Sequence, residues 1–282
     1  MEPLRSAGSR DELPSWKKDS DPAVPSDASW LFVIMSKVAF RAMSLVPRWI
    51  APLLFPPPLT DVNFYDVSQH PGVRGLCSLT VDDCFCRQED ESKSLMAEFR
   101  ELFAEARANP KATFFTTLVY GRGPWREREV EKYLEAGHEL ANHGKYDKEY
   151  QSMPVEEFTA DLEETSGWLQ GVSGLPTHPS WFRAPSGRIS AGMSGVLKER
   201  GMKHVMLDSY ANDPHIPDAA FIASNMVRAA THGSILIIHM PERGFREWNL
   251  EATRLLLEGL ADKGLRSVTL TDLEAAALNR PA

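Results

Sequence analysis

Short runs rich in apolar and β-branched residues alternate along most of this chain with stretches whose apolar residues recur at helical spacing, and that alternation is what most restricts its fold. Such a pattern describes successive βα units, which pack as a parallel sheet covered by helices. Strands are expected at Gly75 to Val81, Ala112 to Val119, His138 to Asn142, Ser180 to Arg183, His204 to Asp208, Ser234 to His239 and Arg266 to Leu270. Between the first two, Leu95, Phe99, Leu102, Phe103 and Ala106 form one apolar stripe. Val130 and Leu134 run into Gly137, Met193 and Leu197 into Gly201, and Leu256, Leu257 and Leu260 into Gly264, each glycine standing where a helix C-cap belongs. Thr271 with Glu274 reads as the capping box of a last helix. Seven repeats with no break between halves predict an irregular (β/α)7 barrel rather than an open doubly wound sheet. Neither GxGxxG nor GxxxxGK[ST] follows any strand, which removes the commonest nucleotide-binding readings.

Three segments follow from composition. Residues 1–28 are rich in Ser, Pro, Asp and Lys and read as a disordered tail, with no early apolar run of the kind a cleaved leader needs. Residues 29–60 form an apolar extension, and residues 61–282 carry the barrel. Within the extension, the segment from Trp30 to Phe55 is strongly apolar but interrupted by Lys37, Arg41 and Arg48. Lys37 and Arg41 share one helical face, so an amphipathic helix is expected, packed along the barrel or resting on a membrane surface through residues 30–55, rather than a clean span. A net charge of −8 offers no field to attract a polyanion, which argues against nucleic acid as the main ligand. Cys77, Cys84 and Cys86 are odd in number and tightly clustered, which suits a reducing compartment better than a disulfide framework. The expectation is a cytoplasmic or membrane-associated protein rather than a secreted one.

Polar residues of catalytic type collect at the C-terminal ends of the expected strands, where α/β barrels build their sites. Asp82 and Asp83 follow the first strand, His143 and Asp147 the third, Arg183 ends the fourth, Asp208 the fifth and His239 the sixth. Two adjacent carboxylates repel unless a positive charge stands between them or one stays protonated. A metal ion resolves the conflict: Asp83 and His143 serve as ligands, with Asp147 four residues on able to reach the same ion, while Asp82 stays available as a base.

The segments LTVDDC (Leu79 to Cys84), ATFF (Ala112 to Phe115), GHELANH (Gly137 to His143), WFRAPSG (Trp181 to Gly187) and LIIH (Leu236 to His239) together resemble the polysaccharide deacetylases of the NodB-like kind, carbohydrate esterase family 4, in order and spacing over roughly residues 72–275. The resemblance implies Asp82 as general base, Arg183 as the residue orienting it, His239 as general acid and Asp208 as its acidic partner, with Asp213 as the alternative. It implies Asp83, His143 and Asp147 as ligands of one divalent metal ion, zinc first, with manganese, iron or cobalt as alternatives. Trp181, Pro185 and Tyr210 are the substrate contacts to expect. Two positions depart from the family pattern: Asp147 replaces a second histidine, and Cys84 replaces a small glycine. An Asp, His, Asp set is harder and more anionic, which favours manganese or iron beside zinc.

The activity so implied is metal-dependent removal of N-acetyl groups from a chitin-like amino-sugar polymer or oligosaccharide. Two alternatives stay open: hydrolysis of a non-sugar amide or imide, since a barrel and a metal say little about what lies beyond the scissile bond, and a catalytically inactive glycan-binding relative.

Overall fold

The computed structural model describes residues 27–45, 60–174 and 179–279. Most of the expected 1–28 tail, residues 46–59 of the extension, and His178 lie outside the described residues.

All seven expected strands are present, several shorter than the sequence suggests: β1 Leu76–Cys84, β2 Ala112–Thr116, β3 Glu139–Asn142, β4 Trp181–Phe182, β5 Lys203–His204, β6 Ile235–His239 and β7 Arg266–Ser267. They pair in parallel in the order β5-β4-β3-β2-β1-β6, with β7 against the start of β1. Beyond β5 the chain returns to the opposite edge, where Ser209 bridges Leu236 of β6, so the two edges of the sheet meet and the barrel is irregular as expected. β1 is central and buried along nearly its whole length, so that the polar residues alternating with Cys77, Leu79 and Val81, namely Ser78, Thr80 and Asp82, are buried too.

Helices α2 (Met96–Glu105), α3 (Pro124–Glu135), α4 (Val155–Ser173), α5 (Ala191–Glu199), α6 (Ala219–Ala229), α7 (Trp248–Asp262) and α8 (Leu270–Ala277) surround the strands. Phe99 and Phe103 of α2 pack with Phe114 of β2, while Leu256, Leu257 and Leu260 of α7 join the same core. The last helix is capped differently from expectation: Thr269, not Thr271, accepts from the Asp272 N–H, and Glu274 instead binds Tyr65 and Lys203.

Helix α1 (Asp27–Met43) inverts the usual amphipathic arrangement. Lys37 turns toward the barrel, where its Nζ lies 2.7 Å from Asp218, and both Lys37 and Arg41 sit over the Phe221 ring. Trp30, Leu31, Phe32, Ile34, Met35, Val38, Met43 and Leu45 face outward, each 49–70% exposed. No helix among the described residues is long and apolar enough to cross a membrane.

Candidate active site

A β-bulge shapes the mouth of the barrel. Val81 pairs with Phe114 and Cys84 with Thr116, so one extra residue of β1 is fitted against β2, and Asp83 takes a left-handed φ of 57°. Successive side chains of a regular strand point to opposite faces. The bulge releases that alternation, so Asp82 and Asp83 both engage groups at the barrel mouth.

Asp82 is held by Arg183, whose Nη1 donates to Asp82 Oδ1 at 2.7 Å and to the Thr80 hydroxyl at 2.8 Å. The same guanidinium donates to the carbonyls of Val205 and Met206 and lies 4.1 Å above the Phe115 ring. Arg183 is 1% exposed, and a fully buried guanidinium with this many fixed acceptors has one orientation. It fixes the Asp82 carboxylate in turn.

On the neighbouring strand, His239 is the register partner of Asp82. Its Nδ1 lies 3.1 Å from both carboxylate oxygens of Asp213, and its backbone N–H donates to Asp213 Oδ2 at 2.9 Å. Asn249 donates from Nδ2 to Asp213 and to the His239 carbonyl, and the Trp248 indole donates to the Asp213 carbonyl. Burial pulls the His239 imidazolium down, but the Asp213 carboxylate more than offsets this, and the ring titrates above its ordinary value of 6.5.

Asp208, the first expectation for this role, is engaged elsewhere. Its two oxygens accept from the Ile235 N–H and the Ser234 hydroxyl, at the start of β6. His239 ends the same strand, about 13 Å away along an extended chain. Because β5 ends at His204, Asp208 falls beside the wrong end of β6 and Asp213 arrives at the right one.

The third pair is Asp83 and His143. The His143 ring is anchored through Nδ1, 2.7 Å from the Arg183 carbonyl, which turns Nε2 toward Asp83 Oδ1 at 3.4 Å. Gly144 follows with φ 82°, and a Cβ there would meet the Tyr150 hydroxyl at 2.4 Å, so only glycine allows the loop to turn away from His143 here. Burial alone would raise the Asp83 carboxyl, yet His143, His239 and Arg246 together hold it well below the usual carboxylate range. Burial would lower His143, and Asp82 and Asp83 keep it raised.

Two arginines that the sequence did not single out complete this region. Arg246 Nη1 donates to Asp83 Oδ2 at 2.6 Å. Arg87 Nη2 donates to the same oxygen and to Asp147 Oδ2, each at 2.9 Å, while its Nε lies 3.9 Å from Glu242. Asp147 therefore approaches Asp83 through a guanidinium, and among the described residues no group of three or more His, Cys, Asp or Glu side chains stands ready to hold a metal.

The donor set nevertheless fits a divalent cation in two respects. With Nδ1 committed to a carbonyl, a neutral His143 aims the Nε2 lone pair at a carboxylate oxygen, an arrangement stable only with a proton or a metal ion between them. Around the mouth stand five carboxylates, Asp82, Asp83, Asp147, Asp213 and Glu242, against three guanidinium groups, Arg87, Arg183 and Arg246, and the imidazoles of His143 and His239. Two negative charges are left for imidazolium protons or a divalent ion to match. Asp83 and His143 supply two ligands of the kind zinc accepts, and Arg87 closes the approach from Asp147.

Of the expected substrate contacts, Tyr210 stands at the mouth with its ring centroid 6.3 Å from that of His239. Pro185 is buried at the start of a single 3-10 turn after Arg183, and the exposed residue of that turn is Ser186. Trp181 is not a surface of the mouth. It is 1% exposed, packs with Phe115, Val205 and Val268, and satisfies its indole N–H on the Thr271 hydroxyl. Cys84, at the position of the usual glycine, is buried with its Sγ against the Val81 carbonyl, and burial beside Asp82 and Asp83 pushes its thiol well up, so it acts as a small inert filler.

A parallel α/β barrel whose C-terminal mouth gathers an Asp–Arg pair, an Asp–His pair and a carboxylate-backed histidine has the architecture of the NodB-like deacetylases. Residues 71–205 match the model of the polysaccharide deacetylase family, the stretch of the barrel from the turn before β1 to the end of β5. The match spans Asp82, Asp83, Arg87, His143, Asp147 and Arg183, whereas Asp213 and His239 lie beyond it and are assigned by geometry.

Solved structures establish the same fold. A peptidoglycan N-acetylglucosamine deacetylase superimposes with a TM-score of 0.65 at 19% identity, over 79% of this chain and 96% of that one. A family 4 acetyl xylan esterase from Clostridium thermocellum, in complex with cobalt, gives 0.58 at 24% identity over 73% and 93%. A carbohydrate esterase family 4 pseudoenzyme from Bacillus anthracis gives 0.60 at 18% identity, covering 71% of this chain and 65% of its own length. No curated protein matches the sequence.

Proposed function

We propose that this barrel hydrolyses the acetamido group of an N-acetylated amino sugar within a chitin-like polymer or oligosaccharide, with Asp82 as general base and His239 as general acid. The observation that carries the reading is the Asp82–His239 register pair: a carboxylate and an imidazole on adjacent strand ends, each fixed by its own buried partner. Acid and base on two sides of one reacting group is the division that amide hydrolysis needs.

Arg183 positions Asp82 to accept a proton from the attacking water. Asp213 fixes Nδ1 as a protonated nitrogen and favours the imidazolium form, so that Nε2 can donate to the leaving amine. Asp83 and His143, with Asp147 as the third donor, would hold one divalent ion, zinc first and manganese, iron or cobalt as alternatives. Such an ion supplies Lewis acidity toward the carbonyl and its developing oxyanion. Tyr210 offers an aromatic wall beside the acid.

Acetate release from N-acetylglucosamine oligomers is the test, and the activities of the fold neighbours extend the panel to peptidoglycan and acetylated xylan. Small amides and imides in the same panel address the non-sugar alternative. Asp82→Asn keeps the fold and the metal, and turnover falls by about 10²–10⁴-fold, the range for losing a positioned base. Full turnover by that variant would remove Asp82 from the base role.

A second reading, a non-catalytic glycan-binding relative, is favoured by one observation, the Arg87 bridge between Asp83 and Asp147. It is distinguished by glycan binding without acetate release under any metal. The outward apolar face of α1 supports a further proposal, that the protein works at a membrane surface on the cytoplasmic side, α1 lying along the lipid while Lys37 and Arg41 face the barrel.

A further inference from the structure

Asp147 differs from its expected neighbour histidine in charge, and the structure shows what that charge attracts. The Arg87 guanidinium lies between the Tyr120 and Phe245 rings, 5.2 Å and 4.6 Å from their centroids. From there a single nitrogen, Nη2, donates to Asp83 and to Asp147. A neutral imidazole at position 147 has no negative charge to hold a guanidinium, so the acidic residue and the arginine form one device.

We propose that Arg87 is a resident competitor for the divalent cation: it occupies the Asp147 side of the site, and the ion binds there only in exchange for Arg87 leaving both carboxylates. The inference rests on the metal-dependent reading above and adds to it a control on affinity. Asp147 cannot give the same oxygen fully to the ion and to Nη2. Asp83 turns Oδ1 to His143 and gives Oδ2 to both Arg87 and Arg246, so one Arg87 nitrogen stands within 2.9 Å of both carboxylates, where an ion shared between them would sit. A guanidinium that leaves its carboxylates about one tenth of the time lowers the apparent affinity about tenfold. Its aromatic seat stays available after exchange, because Tyr120 and Phe245 attract the cation independently of Asp147.

The test is calorimetric titration of the full chain with Co2+, with visible absorption of the bound cobalt as a second readout. Arg87→Gln, which keeps much of the stem, is expected to bind Co2+ about tenfold or more tightly than the unaltered protein. Asp147→Asn in the Arg87→Gln background is expected to cancel the gain, and Asp147→His alone to raise affinity as the Arg87 variant does. Arg87→Lys, which keeps the charge but loses the two-carboxylate reach, should gain less than Arg87→Gln. Thermal melts by circular dichroism confirm that each variant is folded. Equal affinity in the Arg87→Gln variant and the unaltered protein overturns the competitor while leaving metal dependence standing. Absence of Co2+ binding in both overturns the two together.

Discussion

The mouth of this barrel has two halves built on different principles. On one side, Asp82 with Arg183 and His239 with Asp213 are pairs in which each reactive group has a buried charged partner, and the reactive members stand on paired strand ends. On the other, Asp83, Asp147, Arg87, Arg246 and Glu242 form a web in which one carboxylate meets two guanidinium groups and one guanidinium meets three carboxylates, most of them from loops. The first half is fixed by backbone register. The second is fixed by charge balance, and a cation entering it must rearrange what is already paired. In the proposed mechanism the acid and base are therefore preorganised, whereas the metal side is adjustable.

The largest expected effect that sharpens this contrast is at Asp213. Asp213→Asn removes the charge that raises His239, and kcat is expected to fall about 10²-fold or more. His239 must be protonated to act as the acid, so activity is lost as pH rises through its folded pKa, and in the variant this alkaline limb moves to lower pH. The stability that the His239–Asp213 pair contributes has the same sign. It is fully present below about pH 6.5, the unfolded value, and lost as pH rises through the raised folded one. Asp208→Asn should leave kcat and the limb in place and cost about 1 kcal/mol of stability, from the acceptor of Ile235 and Ser234. Reversal of these two results would break the assignment.

A smaller effect is expected from α1. The protein should float with phosphatidylcholine vesicles, and the double variant Phe32→Glu with Met35→Glu should remain at the bottom of the gradient with an unchanged barrel melt. Failure of the unaltered protein to float removes the membrane proposal. The smallest effect separates structure from recognition within one strand. Trp181→Phe forfeits the bond to Thr271, lowering Tm by about 2–4 °C for about 1 kcal/mol. KM should not change, and a raised KM would return Trp181 to the mouth.

These contrasts explain what could be read from the chain and what could not. The strands were legible because burial of a parallel sheet leaves long apolar runs, and Asp82, Asp83, His143, Arg183 and His239 because they punctuate the ends of those runs. Asp208 ranks ahead of Asp213 in the sequence because nothing in LDSYANDP marks that β5 stops at His204 or how far the chain travels before reaching β6. Trp181 opens β4 and Arg183 directly follows it, two residues on, but Arg183 reaches Asp82 at the mouth while Trp181 packs among core side chains beside Val268. Alternation alone does not distinguish depth. Arg87 and Arg246 lie in irregular loops, where no periodicity points to a partner. The one available signal was chemical: an acidic residue at position 147 in place of a neutral histidine calls for a cation nearby.

Acetate release before and after metal stripping tests the whole mouth at once. Chelation followed by dialysis is expected to abolish release from N-acetylglucosamine oligomers, and Zn2+ or Co2+ to restore it, with Asp82→Asn inactive throughout. Undiminished release by the fully stripped protein would contradict the account.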